Sequence, residues 1–333
     1  MSIPAIAPRQ QDPVVRVGQG PPLTAADVGG KGASLDRLIR LGQRVPPAIC
    51  ITADAFRGQF AAIADPVEIR RILAALPAAE ARAELVAVFE ATPTRPDLAA
   101  AMTHGVAALA ADLDLQTAAR TGDVAGSPAA VPTFAVRSSA LDEDGAGASF
   151  AGLHETELGR TAEEVEPAVR RCWSSLWSVP AIAYRARRGL TFRDLAMAVV
   201  VQALVPADAS AVVFTRHPVT RRADHLLINA IRGLGEPMVS GEATPDTIVV
   251  DRASRSVVER IPGRPGMRQF VERGRIVERH DPSADPALDP DALAELVDLA
   301  LAVEGAAGSP VDIEAARAGG AWFLLQSRPI TTA

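Results

Sequence analysis

Lysine is nearly missing from this chain: of its 34 lysines and arginines, only Lys31 is a lysine. In an arginine-rich, alanine-rich sequence, the one place that keeps lysine needs a compact ammonium, which arginine's broad planar fork does not replace. Cysteine is almost as scarce. Cys50 and Cys172 are far apart and form no CxxC or CxxH pair, which excludes a zinc ribbon and a disulfide framework and fits a reducing compartment. Long apolar runs are lacking too, since none approaches the ~18 residues of a membrane span. Met1 to Val17 has no basic start followed by an apolar core, so no secretory signal is read there. Nor is there an excess of positive charge: a net charge of -6 argues against a nucleic-acid surface. What is there is 333 residues, 48% hydrophobic and 22% charged, enough for roughly two globular domains. The expected setting is the cytoplasm, with neither membrane nor nucleic acid as partner.

Lys31 lies in Val28-Gly29-Gly30-Lys31-Gly32-Ala33-Ser34. Three glycines allow positive φ and close approach of backbone to a ligand. Ala33 to Leu41 reads as a helix, with Leu35, Leu38, Ile39 and Leu41 at helical spacing and Gly42 placed to end it. Loop amides, a helix N-terminus and one point charge make a phosphate site. The GxxxxGK[ST] spacing of a Walker A loop is absent. On this stretch alone, a glycine turn with a solvated lysine is an equal alternative.

Further along, Val45 to Ile51 reads as a short strand, and Thr52 as the N-cap of a helix through Phe60. Pro66 to Ala111 is helical in three pieces divided at Pro77 and at Pro93 to Pro96, and Asp112 to Pro132 reads as a connection. Thr161-Ala162-Glu163-Glu164 is a capping box. The helix behind it sets Val165, Val169, Cys172, Trp173, Leu176 and Trp177 on one face, a stripe that reads as core rather than as an aromatic ligand platform. Strands follow at Met197 to Val201, Ala211 to Phe214, Leu226 to Ile231 and Thr247 to Val250, with short strands and polar turns from Asp251 to His280. Asp289-Pro290 then starts a helix as N-cap and N1.

Two stretches carry candidate chemistry. Phe134-Ala135-Val136-Arg137-Ser138-Ser139 is a strand that ends in a cation and two hydroxyls, where ligands of α/β folds collect. The acidic, glycine-rich loop Asp142 to Gly152 after it has the makings of a lid. Pairing of Arg137 with Asp142 or Asp144 beside a hairpin loop is the structural alternative. Near the end, Val311-Asp312-Ile313-Glu314 and Trp322 to Arg328 flank a turn with Gly319-Gly320. Side chains alternate along strands, so a hairpin with an odd-length loop sets Glu314 beside Gln326 and Asp312 beside Arg328. Oxygen ligands with a cation nearby suit Mg²⁺ shared with nucleotide phosphates. An Asp312–Arg328 salt bridge with no ligand is the alternative there.

Taken in order, these motifs resemble a known family. They are Val28 to Leu35, Ala135-Val136-Arg137-Ser138-Ser139-Ala140, Ala148-Ser149-Phe150-Ala151-Gly152, Arg171 to Leu176, Gly233-Leu234-Gly235-Glu236, Thr244-Pro245-Asp246, Asp312-Ile313-Glu314 and Gln326 to Thr331. The chain resembles the N-terminal ATP-binding region of the phosphoenolpyruvate synthase, pyruvate phosphate dikinase and rifampicin phosphotransferase family, without its phosphohistidine and acceptor domains. The resemblance implies an α+β, two-lobed ATP-grasp-like fold. A helical, mixed N-terminal lobe at 1–195 would hold the phosphate loop and lid, and a β-rich C-terminal lobe at 196–333 the adenine and metal sites. It implies ATP and Mg²⁺ as cofactors. Lys31, Arg137 and Arg328 would act on the phosphates, with Gly152 closing over them. Thr156, Gln202, Leu204 and Glu236 would be further nucleotide contacts, and Glu314 and Gln326 the metal ligands. The sequence departs from the family at Leu153, where glutamine is frequent, at Ala211, where glycine is, and at Ala315, where tryptophan is.

Three functions are consistent with this. One is an ATP- and Mg-dependent phosphotransferase acting on an unidentified small molecule. The second is the ATP-cleaving part of a split system whose phosphohistidine lies on a separate partner protein. The third is a non-catalytic nucleotide-binding module. Of the five histidines, only His154, beside the lid, is a candidate acceptor within the chain.

Overall fold

The computed structural model describes residues 12–63, 78–121, 131–141, 156–178, 181–182, 196–220, 222–283 and 285–330. The expected lid, Gly152, Leu153 and His154 lie outside the described residues. The fold is the expected α+β, ATP-grasp-like one, built on two antiparallel sheets. The first sheet has the order β1 (Val14–Arg16), β2 (Ala48–Ile51), β5 (Met197–Ala203), β3 (Phe134–Ala140) and β4 (Thr156–Arg160). The second has the order β13 (Ala321–Pro329), β12 (Val311–Ala318), β6 (Ala209–Phe214), β7 (His225–Arg232), β8 (Asp246–Asp251) and β9 (Val257–Ile261). A separate hairpin joins β10 (Gly266–Glu272) to β11 (Arg275–Asp281).

Every residue of β5 is buried, which its continuous apolar run requires. Val199 and Val201 face a core of helices α2 (Ala53–Ile63), α3 (Ala78–Ala91), α4 (Pro96–Thr121) and α5 (Val165–Ser174). Val200 faces Val28 and Leu35 of α1 (Ala25–Arg40) on the other side. Helices on both faces hold β5 in the first sheet, between β2 and β3, although it falls inside the expected 196–333 lobe.

The tryptophan stripe is core, as its period indicates. Trp173 meets Phe56 edge to face with centroids 5.6 Å apart, and Trp177 stacks on Phe60 at 5.7 Å. Asp289 caps α7 (Pro290–Ala307), its Oδ1 accepting the Ala292 amide at 2.7 Å. Thr52 Oγ1 accepts the Ala55 amide at 3.2 Å at the start of α2. The expected connection at Asp112 to Pro132 is in part helix, because α4 runs on to Thr121. That ten-residue extension is made of Ala, Leu, Gln, Asp, Thr and Arg, and glycine appears only after it.

Helix α1 joins the two sheets. Its Val28 and Leu35 pack on the first sheet, while Leu38 enters the core formed by the second sheet and α7. Ser34 Oγ donates to Ser327 O on β13 at 2.5 Å, and the Leu324 amide donates to Arg44 O at 2.9 Å just past the helix.

Candidate active site

The helix carrying Lys31 starts earlier than expected. It begins at Ala25 and is broken at Gly29, which sits at φ 70°, ψ 174°, a conformation only glycine adopts at little cost. A side chain at Gly29 would collide with the carbonyl and Oγ of Ser139 on β3. The same Ser139 hydroxyl donates to Val28 O at 2.7 Å and accepts from the Gly32 amide at 3.2 Å, bridging the break. The glycines thus serve close packing of α1 against β3 as well as local backbone freedom. Gly42, at φ 74°, ends the helix as expected.

Two residues beyond the break, Lys31 lines a cavity of about 310 Å³ between the sheets. The same cavity is lined by Arg137 and Thr156 from β3 and β4, by Gln202 and Leu204 at the end of β5, and by Glu236 at the start of the short helix α6 (Glu236–Val239), which precedes α7 in the chain. Glu314 from β12 and Gln326 and Arg328 from β13 complete it. All the candidate residues that are described therefore come together in one place.

The hairpin has the expected register: Asp312 pairs with Arg328, and Glu314 with Gln326. Its loop, however, is the even-length Gly319-Gly320, with Ala318 opposite Ala321. The odd residue is a β-bulge at Leu325, opposite the Glu314/Ala315 step. A bulge re-aims the side chains and backbone of its strand, and here both Leu325 and Gln326 reach the cavity. This feature was missed by the sequence reading, although the parity of a two-residue turn against the 314/326 pairing already required it.

Arg137 crosses from the first sheet to meet that bulge. Its Nη1 donates to Leu325 O at 2.9 Å, and its Nη2 donates to Glu314 Oε2 at 2.7 Å and Gln326 Oε1 at 2.9 Å. Arg328 places Nη2 3.8 Å from Glu314 Oε1 and Nε 3.7 Å from Asp312 Oδ1, so the pairing with Asp312 exists inside the cluster. Burial opposes ionisation of the Glu314 carboxyl, but Arg137, Arg328 and Lys31 together hold it below the usual carboxylate range. Glu236 is shifted the other way. Burial, reinforced by Glu314 and Glu242, raises it against the attraction of Arg137.

The cavity has two chemically distinct halves. Lys31, Arg137 and Arg328 make one cationic, suited to a polyanion. Leu158, Leu204, Val205, Leu234 and Met238 make the other apolar, suited to a flat ring. The amides of Ala203 and Leu204 donate to Pro47 O and Thr133 O, both at 2.9 Å. A ring at this edge would meet those two residues through side chains or carbonyl oxygens. Of the departures noted in the sequence, Ala211 and Ala315 are register partners that border the cavity and belong to the core beneath α7.

Among the described residues, no helix is long and apolar enough to cross a membrane. Comparison with known proteins gives a consistent picture. Residues 25–333 match the pyruvate phosphate dikinase AMP/ATP-binding domain. The chain is 38% identical over 310 residues to the prodigiosin synthesizing transferase PigC of Serratia marcescens, covering 92% of this chain and 32% of that protein. It is 37% identical over 320 residues to a Streptomyces rifampicin phosphotransferase, covering 92% and 34%. It is 36% identical over 315 residues to a probable phosphoenolpyruvate synthase of Methanocaldococcus jannaschii, covering 91% and 25%. The chain thus spans about a quarter to a third of the length of these relatives.

Proposed function

Because the chain belongs to the pyruvate phosphate dikinase AMP/ATP-binding domain family, we propose that it binds MgATP in the cleft between the sheets and passes a phosphoryl group to a small-molecule acceptor. The observation that carries this reading is the convergence of Lys31, Arg137 and Arg328 with Glu314 and Gln326 on the cationic half of one cavity. The apolar half, from Leu204 to Met238, would take the adenine, with Thr156, Gln202 and Glu236 at its border. Phosphoryl transfer asks little covalent chemistry of the protein and much charge neutralisation and alignment. Lys31, buried at 9% exposure, supplies a compact charge, while the forked guanidiniums can each grip two phosphate oxygens.

The residues fit a magnesium ion. Glu314 and Gln326 each offer an oxygen ligand, the Glu314 carboxyl is held below the usual carboxylate range, and the buried Gln326 Nε2 has no hydrogen-bond partner among the described residues, as if awaiting an acceptor such as a phosphate oxygen. Glu314 and Gln326 would hold the ion, which would neutralise charge on the transferred group. One or two protein ligands, with phosphate and water completing the shell, is the usual magnesium arrangement.

Incubation of the purified chain with Mg²⁺ and ATP, followed by chromatography of the nucleotides, tests the proposal. ADP or AMP formed with a small acceptor supports it. AMP and phosphate formed only when a separate phosphohistidine protein is added would favour the split system. Nucleotide bound without turnover would favour a binding module.

A further inference from the structure

The guanidinium of Arg137 occupies the atoms that a divalent ion needs. Arg137 is 9% exposed, and among the described residues two of its three acceptors, Glu314 Oε2 and Gln326 Oε1, are the oxygens proposed to hold magnesium. The third, Leu325 O, is presented by the bulge between them. We propose that Arg137 is an internal stand-in for the metal, which keeps divalent ions off Glu314 and Gln326 until a polyphosphate draws the guanidinium away. This rests on the reading of the cleft as a MgATP site.

Three features of the site support the assignment. First, the geometry is competitive. Magnesium–oxygen bonds of about 2.0–2.1 Å in a near-ideal octahedron that use both Glu314 Oε2 and Gln326 Oε1 must displace the one guanidinium nitrogen that holds both, at 2.7 and 2.9 Å. Second, the charge is balanced. The cations Lys31, Arg137 and Arg328 offset the carboxylates Glu236 and Glu314 of the lining and Asp312 beside Arg328, so the site has no net negative charge to draw in a metal that arrives alone. Third, the exchange is favourable with nucleotide. Guanidinium–phosphate pairing is charge-assisted and bidentate, so a triphosphate can replace the bonds Arg137 gives up to Glu314, Gln326 and Leu325, and the freed oxygens then face a cleft made anionic by that ligand. Nucleotide and metal would bind with positive, reciprocal coupling.

Manganese, a paramagnetic substitute for magnesium, gives a readout independent of turnover. Its binding to the full chain can be followed by electron paramagnetic resonance, without nucleotide and with a non-hydrolysable ATP analogue. Arg137→Gln without nucleotide is expected to bind manganese roughly tenfold or more tighter than wild type without nucleotide. Arg137→Lys, which keeps the charge but cannot fork between Glu314 and Gln326, is expected to fall between them and serves if the glutamine variant does not fold. Equal manganese affinity in wild type and either folded variant, together with a protein-bound manganese signal in wild type plus analogue, overturns the stand-in role and leaves the MgATP site intact. If the analogue brings no protein-bound manganese to wild type at all, the metal site itself is refuted, and the stand-in with it.

Discussion

Substituting Gly29 by alanine should uncouple Lys31 from Arg137 without touching either. Gly29 lies two residues before Lys31, Ser139 lies two residues after Arg137, and the two backbones meet at the break in α1. The φ 70°, ψ 174° conformation costs an alanine about 1–3 kcal/mol. The new methyl would also drive into the Ser139 carbonyl, and because backbone cannot yield like the tip of a flexible side chain, overpacking adds about 1–3 kcal/mol. Together these predict roughly 2–6 kcal/mol, or a melting temperature lowered by about 3–9 °C.

Relief of the clash requires α1 and β3 to separate, which moves the ammonium and the guanidinium apart and should weaken nucleotide binding as well. Gly20→Ala is the control. Its φ is also positive, at 67°, but nothing among the described residues lies within 4 Å of the added atom, so it should lose only about 1 kcal/mol. Thermal melting and calorimetric titration with a non-hydrolysable ATP analogue measure both effects. If Gly29→Ala melts no lower than Gly20→Ala and binds the analogue as wild type does, then the Gly29–Ser139 contact does not register the two cations, and the account of the break is wrong.

Lys31→Arg should remain folded and lose nucleotide turnover, because the buried position has room for a compact ammonium; wild-type turnover would remove the argument from the single lysine. Asp289→Ala should cost about 1 kcal/mol through loss of the α7 cap, read as a small drop in melting temperature with nucleotide affinity unchanged. The two site carboxylates should respond to pH with opposite signs. The raised Glu236 gives a stability contribution that is fully present below the ordinary glutamate value of about 4.3 and is lost as pH rises through its folded value, so Glu236→Gln should melt higher than wild type at neutral pH and no higher at acid pH. The lowered Glu314 contributes above that ordinary value and loses its contribution as pH falls through its folded value, so Glu314→Gln should melt lower at neutral pH. Melting curves for both variants across pH check this, and shifts of the same sign would contradict the assignment.

What could be read from the sequence was what a local pattern determines. The alternation Val311-Asp312-Ile313-Glu314 set a cleft face and a core face, and the pairing of Asp312 with Arg328 and Glu314 with Gln326 was anticipated, although the bulge that produces it was not. The Asp289-Pro290 cap and the Trp173 stripe were equally local. The parts that escaped depend on partners distant in the chain. Gly29 looks like loop until Ser139, over a hundred residues away, is seen to need its missing side chain. The Leu325 bulge left no residue-type signal, only a parity mismatch. Strand β1 is three residues long, and its pairing with β2 gives it an identity that Val14-Val15 alone does not.

The ties across the cleft differ in kind, and the difference bears on how the site works. Leu38 in the second core and Ser34 Oγ on Ser327 O are buried, and a ligand in the cleft offers neither of them a better partner. The wall that carries Lys31 is therefore fixed to both sheets before any nucleotide arrives. Arg137 also spans the sheets, but among the described residues its three bonds are to oxygens beside the cavity, and a phosphate group competes directly for its guanidinium. A cleft with one permanent and one exchangeable tie can respond to its ligand without coming apart: Lys31 gives the phosphates a preformed place, and the release of Arg137 reports that they have arrived. On this reasoning Ser34→Ala should lower stability and leave the coupling between nucleotide and manganese unchanged, whereas Arg137→Gln should reduce the coupling to the part that direct metal–phosphate bonds supply, whatever it does to stability. A Ser34→Ala variant with normal stability and lost coupling would show that the two ties are not separable in this way.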